Sequence, residues 1–440
     1  MLCGVDPNIM LQELISLAVK IEREKLREGI HYTSLINERQ KTNTIVVHFV
    51  TPLTPETASE NAVIPHILCD SNANYPTLTL LNKKLAELYG ANIKGNVSKV
   101  GGDNQDIMFM GGCINNKYTF DGEKITEEMT QLLADCIVNP DLSENGFVRK
   151  SFELKKQELL DDIDADINDK RSYAVKRSNM NVFKNEPAAL SVRGEREYAE
   201  KLDPVSTYEQ YKKLLKTAQI EIFFVGAEKS ESCRNILADA FAKIDREYAG
   251  DNHSRLSPLK NEVCRVTEFH DVVQSKMVMA FKTGYKNDYA LKLMNAIFGG
   301  TPTSKLFMNV REKLSLCYYC SSAYNLHKGV IFVDSGVEHA NTGKAEAEIV
   351  RQLEAIQNGD FSDDEMENAR RAIVNALKSV NDGEMSLADW YFTESYSGKS
   401  DSPEYKISKL MEVTREDIVE AAKSLALDTV YVLTGKEGDN

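Results

Sequence analysis

The chain is poor in the residues that metal centres are built from. Of 440 residues only 7 are histidine, and no two of them lie three, four or five positions apart. That excludes a local zinc helix, where two imidazoles must share one face. The 8 cysteines are scattered, unlike the dense framework of a small secreted domain. The one C-x-x-C, Cys317-Tyr-Tyr-Cys320, has no second pair to complete a structural zinc site. Alternation in CYYCSSAY reads as a strand, so two buried free thiols are expected there. No apolar run approaches the ~18–20 residues needed to span a bilayer. No basic segment followed by an apolar one opens the chain, so no secretory signal is read and a cytoplasmic setting is expected. Positive charge is also short: the net charge is −14, which disfavours a nucleic-acid binder and fits a soluble surface.

What is present is length and repetition. The chain is too long for one ordinary core, so two domains are expected. Each half opens on an apolar strand, TIVVHFV at 44–50 and KMVMAF at 276–281. Two helical stretches follow in each, 59–68 and 80–89 in the first half, 289–298 and 303–314 in the second. Strands come next, at 107–114 and 329–336. Amphipathic helices then end in similar turns, Asn139-Pro140-Asp141-Leu142-Ser143 and Asn358-Gly359-Asp360-Phe361-Ser362. Both turns place a Ser where it can cap a following charged helix, at 147–167 and 363–380. Ser362 with Glu365 matches the capping-box pattern. Each half closes as helix (207–215, 414–425), then strand (220–226, 429–434). A polar, turn-rich join lies between about residues 248 and 270. The common order argues for duplication and for mixed α+β layers.

The most specific block is GGTPTSKLFMNVREKLSLCYYCSS at 299–322. It contains Arg311 and, seven residues on, Tyr318. This block resembles the second half of the insulinase/pitrilysin-type zinc peptidases, the inverzincins. The family's metal signature, H-x-x-E-H, is absent from the chain. At its expected place, after the first strand, stand Ala62, Pro65 and His66, so two of three positions have lost their chemistry. Pro65 removes a backbone donor and is expected to disturb the helix. Asp162 falls near the family's distal carboxylate ligand, on the loosest part of the alignment.

The resemblance implies two homologous insulinase-like α/β sandwich domains, each an antiparallel sheet flanked by helices. The N-terminal one spans 1–249, with a degenerate zinc site. A linker covers 250–268, and the C-terminal domain, carrying the Arg/Tyr motif, spans 269–440. It also implies a bacterial, non-catalytic branch whose members partner a zinc-bearing relative. No cofactor is expected in this chain, and zinc is expected on the partner subunit. Arg311 would hold a carbonyl or carboxylate of bound peptide substrate, and Tyr318 would donate to the oxyanion of the tetrahedral intermediate. From the residues alone, Arg311 pairing with a helix neighbour and Tyr318 packing in a strand stay open. Two other functions stay open as well. One is a catalytically dead scaffold or binding module. The other is a free-standing metallopeptidase with unusual ligands such as His66 and Asp162.

Overall fold

A computed structural model describes residues 19–250 and 252–435 of the chain. The opening segment, where no secretory signal is read, lies outside them. Two large sheets carry the architecture. The first contains β1 (Lys20–Arg27), β2 (Ile30–Ile36), β3 (Thr42–Pro52), β4 (Asn92–Val100), β5 (Asn104–Ile114) and β6 (Gln219–Gly226), in the order β1-β2-β6-β3-β5-β4. The second contains β7 (Cys264–Phe269), β8 (Ser275–Lys282), β9 (Cys317–Asn325), β10 (Val330–Val337) and β11 (Ala426–Thr434), in the order β9-β10-β8-β11-β7.

The two orders are the same. Matching β3 to β8, β5 to β10, β4 to β9, β6 to β11 and β2 to β7 superposes every neighbour relation, leaving β1 as an extra edge. The directions match too. Each sheet is antiparallel except for one parallel pair, β2–β6 in the first and β7–β11 in the second. The expected antiparallel sheet is therefore mixed. A closing strand that returns through helices arrives parallel to its outer neighbour. The stretch read as linker contains β7, a short alternating strand that completes this pair.

The apolar runs have a physical cause. In β3, Ile45, Val47 and Phe49 enter the main core of the first half, while Val46 and Val50 enter a second cluster on the other face. In β8, Met277, Met279 and Phe281 point one way, and Val278 and Ala280 the other. A strand covered on both faces reads as a continuous hydrophobic run.

The second cover comes from the opposite half. The Glu384–Tyr396 helix lays Leu387, Ala388, Tyr391 and Phe392 against Val46, Val50 and Phe223 of the first sheet. Phe392 stacks on buried His48 at 3.7 Å between centroids, and His48 Nδ1 lies 3.0 Å from Asp106. In return, the Lys170–Val182 helix brings Ala174 against Val278, Tyr431 and Leu433 of the second sheet. Neither crossing helix is among the expected elements.

Two local expectations are corrected and a third holds. The Ala58–Leu68 helix runs through Pro65 unbroken. Pro65 forfeits only its own bond to the preceding turn, the Cys69 amide still bonds the Pro65 carbonyl at 3.1 Å, and Gly95 on β4 leaves room for the ring. Ser143 caps no helix. It lies in a two-residue hairpin and its hydroxyl donates to the Gly146 carbonyl, 3.0 Å away, while the next helix begins at Arg149. Ser362 does cap, and the Ser362/Glu365 capping box is complete.

A buried cation joins the halves. Lys328, 1 % exposed, lies between β9 and β10. Its ammonium donates to Asp103 Oδ1 at 2.9 Å, in the β4–β5 turn, and pairs with Glu186 at 2.7 Å. Removing one member of a buried ion network leaves the others uncompensated. Lys328→Met is expected to destabilise the fold by about 3 kcal/mol, read as a lower urea midpoint at unchanged m-value.

Candidate functional site

Arg311 lies on the Leu306–Lys313 segment, which is wound as a π-helix rather than the regular helix expected there. The Leu314 amide reaches back five residues to the Asn309 carbonyl, at 3.1 Å. Such wide turns concentrate at functional sites. Ser315 then adopts φ +50°, a left-handed turn. The Leu316 amide bonds the Val310 carbonyl at 3.0 Å and delivers the chain into β9.

A bulge at the start of β9 re-aims the next residues. Cys317 pairs with Val337 and Tyr319 with Gly336, so Tyr318 has no cross-strand partner. An extra residue in one strand breaks the alternation of faces. Cys317 and Cys320 therefore both point into the second core, and Tyr318 turns outward, 59 % exposed. Both cysteines are free and buried. The Cys320 thiol hydrogen-bonds the Cys317 sulfur and holds the Cys317 thiol below its ordinary pKa of 9.0, against the opposing effect of burial.

Arg311 and Tyr318 line one open cleft of about 390 Å³, together with Leu316, Cys317 and Glu338. Within it the Arg311 guanidinium stacks over Phe307, 4.6 Å from the ring centre, and lies 3.6 Å from Glu312. Tyr318 is not packed into the strand face. The cleft offers a cation and a phenol hydroxyl at the surface. Glu338, on its rim, carries no signal in the sequence, because it comes from the far end of β10.

The degenerate zinc helix is a different surface. Ala62 and Pro65 are buried, and His66 is exposed. Loss of water around the imidazole and the Lys155 ammonium push His66 below its ordinary 6.5. Lys155, on the packed Arg149–Ala165 helix, pairs with Asp70 at 2.8 Å and Glu158 at 2.9 Å. Asp162 is 65 % exposed and lies 3.7 Å from Arg193. Catalytic zinc takes three protein ligands and an open position. Among the described residues no three His, Cys, Asp or Glu side chains converge in that way. One imidazole beside an ammonium does not fit a divalent cation, and no chemical step is assigned to a metal in this chain. Sequence reasoning missed Lys155, since Asp70, which holds it from just past the Ala58–Leu68 helix, is remote in the chain.

Fold and site together define a zinc-peptidase scaffold whose metal-binding helix has lost its ligands. The chain belongs to the M16 peptidase family, the family indicated by the 299–322 block. Residues 203–373 match the Peptidase M16 inactive domain. The chain is 30% identical over 405 residues to a probable inactive metalloprotease, YmfF, of Bacillus subtilis, covering 91% of this chain and 95% of that one. A conserved protein from Enterococcus faecalis has the same fold, with TM-score 0.87 and 26% identity, covering 96% of this chain and 100% of that one. A peptidase M16 inactive domain from Pseudomonas fluorescens aligns at TM-score 0.75 and 14% identity, over 96% of this chain and 99% of its own. No helix among the described residues is long and apolar enough to cross a membrane.

The two cleft side chains make few folding contacts. Arg311→Ala and Tyr318→Phe are each expected to change stability by less than about 1 kcal/mol. Thermal unfolding checks this, and a large loss would mark either residue as structural.

Proposed function

We propose that this chain is the non-catalytic subunit of a heterodimeric zinc-dependent endopeptidase. It binds peptide and contributes Arg311 and Tyr318 to the partner's active site. One observation carries the reading: Arg311 and Tyr318 share an open cleft, while the place of the zinc ligands in the same chain has lost its donors. A guanidinium held at a cleft suits a peptide carbonyl or carboxylate. A phenol freed by a bulge can donate to developing negative charge. The reading places zinc and its water-activating carboxylate on the partner, and sets both chains in the cytoplasm. It takes residues 1–249 and 269–440 as the two insulinase-like units, with β7 inside the joint.

A second reading has support from one contact set. Arg311 already stacks on Phe307 and lies beside Glu312, so its charge has local partners. In that reading the fold is a dead peptidase kept as a binding scaffold.

Reconstitution separates the two. The chain alone is expected to cleave no peptide. Mixed with a zinc-bearing M16 relative from the same genome, it is expected to give endopeptidase activity. Tyr318→Phe should then lower kcat by about 10²-fold, as loss of an oxyanion donor does, with complex formation unchanged. Arg311→Ala should raise KM. Full activity from the double variant would favour the scaffold.

A further inference from the structure

A second polar site lies between the halves, apart from the Arg/Tyr cleft. A cavity of about 380 Å³ is bounded by the end of β4, the Lys170–Val182 helix and the inner part of β9. A neighbouring cavity of about 310 Å³ runs along the same helix. Lys99, Val175 and Asn179 line both, so these side chains form the shared wall.

The cations around this wall are nearly all neutralised. Arg171 pairs with Asp334, Lys176 with Asp166 at 2.6 Å, and Arg193 with Asp166 at 3.7 Å. Asp103, the carboxylate that acts on Lys99 through space, is already held by Lys328. Lys99 differs. Its ammonium donates to the Ala188 carbonyl at 2.7 Å and has no carboxylate partner. An ammonium has three donors, so two remain. Burial, aided by the Lys176 charge, pushes the amine down to about 8, which marks a cation short of compensation.

The opposite need stands beside it. Asn179 Oδ1 is buried and has no hydrogen-bond donor. Unpaired buried acceptors are rare and costly. Val175, Phe183 and Phe332 supply an apolar floor. A ligand that satisfies all three carries an anion, an N–H close to it and an apolar side chain. Inorganic phosphate has no such N–H beside an apolar group. The end of a peptide has all three.

We propose that Lys99 and Asn179 form a subsite for the C-terminal carboxylate of a peptide. Lys99 binds the carboxylate, Asn179 Oδ1 accepts the terminal amide N–H, and the terminal side chain lies on Val175, Phe183 and Phe332. The subsite needs neither zinc nor a second chain, so it stands apart from the fate of Arg311 and Tyr318.

Calorimetric titration of the full chain with N-acetyl-Leu-Phe, as free acid and as C-terminal amide, tests this. The acid is expected to bind about tenfold more tightly than the amide, as for a charge-assisted hydrogen bond. Lys99→Met should abolish that preference by weakening the acid alone, and Lys99→Arg should keep it. Asn179→Ala should weaken both ligands equally, since both retain the N–H. Circular dichroism confirms that each variant is folded. Equal binding of acid and amide, an unaltered preference in Lys99→Met, or no binding of the acid at about 10 mM would each overturn the proposal.

Discussion

The molecule depends on one buried ammonium. Lys328 draws Asp103 and Glu186, both from the first half, onto one point at the end of the second sheet. The surroundings reinforce it. The Ser257 amide bonds the Lys328 carbonyl at 3.0 Å, and the Arg255 amide bonds Asp103 at 3.1 Å. Tyr396, at the end of a crossing helix, accepts from Asn104 at 2.7 Å. A charge removed from water this completely is stable only while its partners hold their geometry. The clamp therefore fixes how the two sheets sit, and so the shape of the cavities between them.

Duplication explains why such a clamp is needed. A sheet with one helical layer leaves its other face bare, and each half covers the bare face of the other with one crossing helix. Neither half buries its own second face. Exchange of helices makes the halves interdependent, and the polar joint sets their register. The same exchange places the Lys170–Val182 helix against the second sheet, where it walls the Lys99 cavity.

The repeat was legible in the sequence because the two central strands and the helices beside them carry strong apolar periodicity. Five of the expected strands fall inside β3, β5, β6, β8 and β11, and a sixth, 329–336, overlaps β10 with a one-residue offset. The edge strand β9 was legible in CYYCSSAY, but the edge strands β1, β4 and β7 were not. β4 alternates exposed and half-buried residues of mixed character, NIKGNVSKV, and looks like a loop on composition. The crossing helices escaped because their cover partners lie in the other half of the chain. At the site, Arg311 and Tyr318 were visible through their spacing and frame. The bulge that frees Tyr318 was not, since only pairing with β10 reveals the extra residue. Nor were Lys155, Lys99 and Lys328, whose meaning depends on partners remote in the chain.

We propose a division of chemistry in which this chain supplies Arg311 and Tyr318 to a bound peptide and a partner carries the zinc; among the described residues no metal-binding cluster is present. Elemental analysis of zinc in the full chain, purified alone without added metal or chelator, addresses that division directly. Zinc far below one atom per chain is the predicted result. A tightly held zinc near stoichiometry, about one per chain as a catalytic site binds, would contradict it and require ligands outside the His66 helix.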